Sequence, residues 1–358
     1  MSENSYIKKL VRDEVRALSA YHVPNPGDAT KLDAMENPYQ FPPELVEQWL
    51  AVLKGADLNR YPDPSAQELK QAIRTAMHIP ENMELLLGNG SDEIIQIIIM
   101  ALAKSDAVVM APEPTFVMYK MIATFCNVAY AGVPLTSDFN LDMPAMRIAM
   151  KEQQPAVIFL AWPNNPTGNL FAEADVIEII ENVPGLVVVD EAYTSFAEVS
   201  FMDKLADYDN LVVMRTVSKS GLAGLRLGYL AGSAAWLNEF DKVRMPYNIN
   251  ILTQLSAKFA LEHVDVLDEQ AAKLRAARSD LIQALNNVNG VETFDSAANF
   301  ILFRTTNASD VFACLKDKNI LIKNLDPAAG ALTNCLRVTV STPEENKLFL
   351  RALNACIN

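Results

Sequence analysis

Between residues 84 and 231 the chain runs through seven short apolar stretches, several of them separated by segments of helical period, and this alternation limits the possible folds more than any other feature. The stretches cover 84–87, 107–110, 127–130, 156–161, 186–190, 211–215 and 227–231. Runs such as Val187-Val-Val and Leu211-Val-Val-Met are apolar at every position, as strands buried on both faces are. The segments 91–103, 116–125 and 172–182 carry helical periodicity between them. Continuous apolar strands with helical crossovers predict an α/β fold, a mainly parallel sheet flanked by helices. After residue 249 two long helical patterns follow, 251–262 and 266–285, and then strand-like runs at 300–303, 320–322 and 336–340. These predict a smaller α+β domain. The expected division is 1–48 as an N-terminal helix and arm joining the small domain, 49–262 as the large domain, and 263–358 as the small C-terminal domain.

Composition narrows the function classes. A formal charge of −14 over 358 residues disfavours nucleic acid and anionic membranes as partners. The longest apolar stretch, 94–103, contains Gln96 and is too short to span a bilayer. Charges interrupt the first eighteen residues, so no signal-peptide core is expected and a cytoplasmic location is. The four cysteines are far apart and without a CxxC pair, which predicts reduced, buried thiols. His22, His78 and His263 show no metal-ligand spacing, so no metal is expected.

The polar clusters fall at the carboxyl ends of the predicted strands, where open α/β sheets bind ligands. Leu87-Gly-Asn-Gly-Ser-Asp-Glu93 turns from a strand into an apolar helix. It reads as a capped helix start, or as an anion site built from the N–H groups of Gly90, Ser91 and Asp92. Pro163-Asn-Asn-Pro-Thr-Gly168 is a long, dense turn. Asp190 leaves a strongly apolar strand, where a carboxylate is costly without a positive partner, and Tyr193 follows three residues later. Thr216-Val-Ser-Lys-Ser-Gly places Lys219 among small residues, with Arg226 seven positions on. A deprotonated lysine condenses with aldehydes, and Thr216, Ser218 and the Arg226 fork suit a phosphate.

In this order the four clusters resemble those of the fold-type-I pyridoxal-phosphate aminotransferases, over almost the whole chain, from Asn37-Pro-Tyr to Arg337. The resemblance implies pyridoxal 5'-phosphate as cofactor, with Lys219 as the imine lysine and Asp190 as partner of the ring nitrogen. It implies contacts of Asn165 and Tyr193 with the phenolic oxygen, stacking by Phe116, and a phosphate among Gly90, Ser91, Asp92, Thr216, Ser218 and Arg226. Tyr61, in Arg60-Tyr-Pro-Asp-Pro64, matches a tyrosine that crosses a homodimer interface to the neighbouring site. Arg337 matches the arginine that binds the substrate carboxylate. Within the family the chain is similar to histidinol-phosphate aminotransferases, through Lys31-Leu-Asp-Ala-Met-Glu-Asn-Pro-Tyr39, Asn59-Arg-Tyr-Pro-Asp63 and Asn334-Cys-Leu-Arg-Val-Thr-Val. That similarity implies transfer of an amino group between histidinol phosphate and 2-oxoglutarate in histidine biosynthesis, with Lys323, Tyr21 and Asn37 as further substrate contacts. Lys323 stands where many members carry an arginine. An aromatic or broad-specificity aminotransferase is the nearest alternative. A phosphoamino-acid decarboxylase and a non-catalytic cofactor-binding regulator fit less well.

Overall fold

The computed structural model describes residues 5–20 and 24–357. A two-residue strand, β1 (Thr30–Lys31), opens the ordered topology. The large sheet follows: β2 (Glu84–Asn89), β3 (Val108–Glu113), β4 (Ala129–Pro134), β5 (Val157–Ala161), β6 (Leu186–Asp190), β7 (Leu211–Thr216) and β8 (Leu227–Gly232). Its order is β2-β8-β7-β6-β5-β3-β4. β8 runs antiparallel to both its neighbours and the remaining pairings are parallel. β5 and β6 are buried at every residue, which is why neither shows polar alternation. This is the expected mainly parallel α/β sheet.

Two apolar layers cover the sheet. On one face Ile94, Ile95 and Ile98 of the helix Gly90–Leu102 pack with Val188, Val212 and Leu230. On the other, Val187, Val189 and Val213 pack with Leu69 and Ile73 of the helix Gln67–Ala76. Successive strand residues alternate between these layers, as the pleat requires.

The smaller sheet uses β9 (Val291–Thr293), β10 (Phe300–Thr305), β12 (Lys323–Asn324) and β13 (Cys335–Thr339), in the order β12-β13-β10-β9. β11 (Ile320–Leu321) pairs in parallel with β1, so the arm enters the smaller unit. Leu32 and Met35 pack in the same apolar cluster as Phe300, Leu336 and Phe349.

Two local expectations need correction. The N-terminal helix expected within 1–48 is two short ones, Ser5–Leu10 and Asp13–Arg16. Arg12 between them donates to the carbonyls of Thr124 and Phe125, at 3.1 and 2.7 Å, and so ties this segment to the large unit. At the start of the helix Gln67–Ala76, Asp63 accepts from the Ser65 and Gln67 N–H groups. Cys314 and Cys356 are not free thiols but a disulfide between the helices Ala308–Asp317 and Pro343–Ile357. A pairing 42 residues apart leaves no mark on local spacing. Among the described residues no helix is long and apolar enough to cross a membrane.

Candidate active site

The ends of β2, β3, β5, β6 and β7 deliver side chains to one cavity. β2 ends at Asn89 and the helix Gly90–Leu102 starts at once, leaving its first N–H groups without partners inside the helix. Gly90 has φ +76°, and a Cβ there would meet Arg226 Nη2 at 2.7 Å. A Cβ on Gly228 would reach Ser91 N at 2.7 Å. Both glycines therefore let β8 and Arg226 close around the helix start. Ser91, Asp92, Thr216, Ser218 and Arg226 line the cavity together, with Phe116, Asn165, Asp190, Tyr193 and Lys219. Thr216 Oγ1 lies 2.9 Å from Ser218 Oγ, and Arg226 Nη2 lies 3.2 Å from Asp92. A helix start, two hydroxyls and a guanidinium form a donor set for a phosphate monoester.

Lys219 follows β7 in a short turn, Ser218–Leu222, kinked at Gly221 with φ +124°. Its Nζ donates to the Ala34 carbonyl at 3.2 Å. Burial, then the nearby Arg337 charge, bring its pKa down to about 8, against the pull of Glu36. At pH 7 about a tenth of it is then uncharged amine, far more than for an ordinary lysine, and this is the form that attacks carbonyl carbon.

Asp190 is 3 % exposed. Its partners are neutral: Tyr119 Oη donates to Oδ2 at 2.7 Å and the Ala192 N–H to Oδ1 at 3.1 Å. Burial raises its pKa to about 6 although both hydrogen bonds oppose the rise. A buried carboxylate without a cationic partner in the protein matches a protonated ring nitrogen. Tyr193 packs edge-on against Phe300, and burial raises its phenol pKa.

Arg337, on β13, is buried; its Nη1 donates to Asn165 Oδ1 and its Nη2 to the Asp33 carbonyl at 3.0 Å. Met35, Phe116 and Asn165 also line a cleft of about 800 Å³ bounded by Lys120, Lys323 and Arg337. That is ample room for a small substrate beside the inner cavity.

Two of the expected site residues stand away from this chain's cavity. Asn37 donates to the Ser220 carbonyl and to Gln270, so it braces the lysine turn from behind and lines a separate pocket. Tyr61 is 81 % exposed and stacks on Tyr247, away from its own chain's cavity. Tyr21 lies outside the described residues. The sequence reading gave no role to Tyr119, or to the buried Glu191–Arg215 ion pair behind the site, at 2.7 Å. Each sits in an apolar or ordinary context along the chain, and the fold alone brings them to the site.

The model of the family aminotransferase class I and II matches residues 28–353. Histidinol-phosphate aminotransferase 2 of Nitrosococcus oceani is 54 % identical over 351 residues, 98 % of either chain. Histidinol-phosphate aminotransferase of Chromobacterium violaceum is 51 % identical over 347 residues, covering 97 % of this chain and 98 % of that one. Among solved structures, histidinol-phosphate aminotransferase from Sinorhizobium meliloti in complex with pyridoxal-5'-phosphate superposes with a TM-score of 0.86, covering 97 % of each chain at 23 % identity, a likeness of fold. Family model and full-length relatives agree: the chain belongs to the class I and II aminotransferases.

Proposed function

We propose that this chain is a pyridoxal-phosphate-dependent histidinol-phosphate aminotransferase of histidine biosynthesis, with glutamate and 2-oxoglutarate as the second pair of substrates. The observation that carries the reading is the convergence of a depressed lysine, a buried carboxylate and a phosphate-type donor set in one cavity. Near full-length identity of about half to relatives of that name supports the substrate.

When bound, pyridoxal phosphate supplies an aldehyde for the substrate amine and a ring that withdraws electrons from the amine-bearing carbon. Asp190 holds a proton on the ring nitrogen. Ser91, Thr216, Ser218, Arg226 and the N–H groups of the helix start hold the phosphate. Phe116, Asn165 and Tyr193, which line the same cavity, would hold the ring. Lys219 Nζ would be the general base and acid of the site, taking up and returning the proton of the substrate's amine-bearing carbon. Arg337 receives the α-carboxylate of glutamate and helps hold the phosphate of histidinol phosphate, with Lys323 beside it in the cleft.

Tyr61 serves the neighbouring subunit of a homodimer in this reading. Tyr61 and its ring partner Tyr247 lie close in sequence to Leu58 and Met245, 72 % and 71 % exposed, which fits a surface that a second subunit covers. Residues 49–262 form the cofactor-holding domain, and 263–358 with the arm after residue 24 form the substrate-facing one. The enzyme works in the cytoplasm.

Borohydride treatment of the yellow enzyme, followed by peptide mapping, tests the core of this reading. The cofactor is expected on Lys219, and a label on another lysine ends it. Capture of added cofactor should speed up with rising pH and level off above about pH 8, as Lys219 loses its proton. Histidinol phosphate should convert the visible band to the amine form faster than tyrosine or phenylalanine does. The reverse order would favour the aromatic aminotransferase.

A further inference from the structure

Tyr119 does not line the cavity and meets the site through Asp190 and Phe116. Its ring is fully buried, stacked on Phe159 at 4.8 Å and edge-on to Phe116 at 5.5 Å. The ring therefore has one orientation, and in it the hydroxyl meets Asp190 Oδ2 at 2.7 Å. The Ala192 N–H takes Oδ1. With one donor on each oxygen, the carboxylate plane cannot turn.

Charge argues in the same direction. Asp92, from the helix Gly90–Leu102, and the adjacent Glu191 both push Asp190 towards protonation, as does burial. The other titratable groups facing the cavity are Lys219, Arg226 and Tyr193. The two hydrogen bonds favour the ionised form, and of these Tyr119 supplies the larger effect. Burial holds the Tyr119 phenol well above its ordinary pKa, so it remains a donor wherever the enzyme works.

We propose that Tyr119 is a positioning residue whose hydroxyl aims the Asp190 carboxylate at the cofactor's ring nitrogen and keeps it charged. This rests on the pyridoxal-phosphate reading above. It also gives a reason for an aromatic three residues after Phe116: one ring covers the cofactor while the other orients the cofactor's counter-ion.

Tyr119→Phe keeps the ring and its packing and removes one oxygen. The test is the affinity of the full-length chain for pyridoxal phosphate, read from the visible band across the pH range in which Asp190 titrates. Losing a hydrogen bond to a charged group weakens binding about ten- to a hundredfold. That loss is expected above the titration. The pH at which affinity begins to fall, on acidification, is expected to move upward, because the ionised carboxylate has lost a donor. In an Asp190→Asn background, Tyr119→Phe should add little. A uniform loss at every pH, or the same loss in both backgrounds, would make Tyr119 a packing residue and overturn the proposal. If the unmodified chain takes up no cofactor, the cofactor reading falls and this proposal with it; normal uptake with an unaltered Tyr119→Phe profile overturns the proposal alone.

Discussion

Asp190 and Glu191 leave the same buried strand one residue apart, and the fold gives them opposite surroundings. Both side chains are shielded from water. They point to opposite faces, as neighbours on a strand do. Glu191 meets a full positive charge: Arg215 Nη2 and Nε lie 2.7 and 2.8 Å from its Oε2, and Ser200 and the Phe201 N–H complete its contacts. Asp190 has only neutral donors. Glu191 is satisfied by the protein, so it fixes β6 to β7 and hence Asp190 to the lysine turn. Asp190 is left in electrostatic deficit, which a positively charged ligand can relieve. Equal burial with unequal partners separates an acid the protein satisfies from one it leaves without a counter-charge.

The largest expected effect tests the structural half. Glu191→Ala strands a buried guanidinium and should cost about 3–5 kcal/mol of stability, measured as a lower denaturant midpoint. Replacing both partners with apolar residues, Glu191→Met with Arg215→Met, should cost much less, since removing a whole buried pair is often near neutral. An unaltered midpoint for Glu191→Ala would erase the contrast.

Asp190 should behave in the opposite sense. Its folded pKa, about 6, lies above the ordinary carboxylate value, so the ionised form destabilises the fold. The cost is absent below the unfolded pKa near 4, appears as pH rises through about 6, and amounts to about 3 kcal/mol at most. Cofactor-free Asp190→Asn should therefore be more stable than the unmodified chain at neutral pH, and the gap should close on acidification across that window. Its transamination rate should nevertheless drop at least about a hundredfold, as for other preorganised charges. A stability gap that does not vary with pH would show that the charge costs nothing.

The two acids also mark how much the sequence could say. Val187-Val-Val-Asp190 announces a buried strand ending in an acid, because apolar runs and a charge at their edge are local facts. The parallel sheet and the grouping of Lys219, Arg226 and Ser91 followed from the same kind of local pattern, joined by the resemblance to a family. Glu191 gave no such signal: its partner lies 24 positions on, and Arg215 reads as an ordinary strand-end charge. Tyr119 was hidden because an aromatic at helical spacing is normally core, and most of its surface is core here too. Asn37 was misleading for the opposite reason. It stands in a recognisable word, Glu36-Asn-Pro-Tyr, yet its amide is spent on Ser220 and Gln270. Local pattern reveals what each residue prefers, but partners across the fold decide what it does.

A smaller effect carries the same contrast to the substrate cleft. Lys323 and Arg337 are register partners on β12 and β13, two cations side by side with different provision. Arg337 is buried and bonded to Asn165 and the Asp33 carbonyl, so it is held before any substrate arrives. Lys323 is half-buried, lines the outer cleft and makes no ion pair among the described residues. A lysine binds phosphate as a point charge without the fork of an arginine, so its contribution is electrostatic and localised. Losing one charged contact costs about 1.5–3 kcal/mol, roughly ten- to a hundredfold in kcat/KM. Lys323→Ala should weaken the histidinol-phosphate half-reaction by about that factor and leave the glutamate half-reaction nearly unchanged, since glutamate brings no phosphate. Arg337→Ala should impair both and loosen Asn165 as well. Single-turnover measurements of each half-reaction separate these outcomes. Equal losses in both for Lys323→Ala would place the lysine with Glu191, as a structural charge, and leave Arg337 to meet both anions.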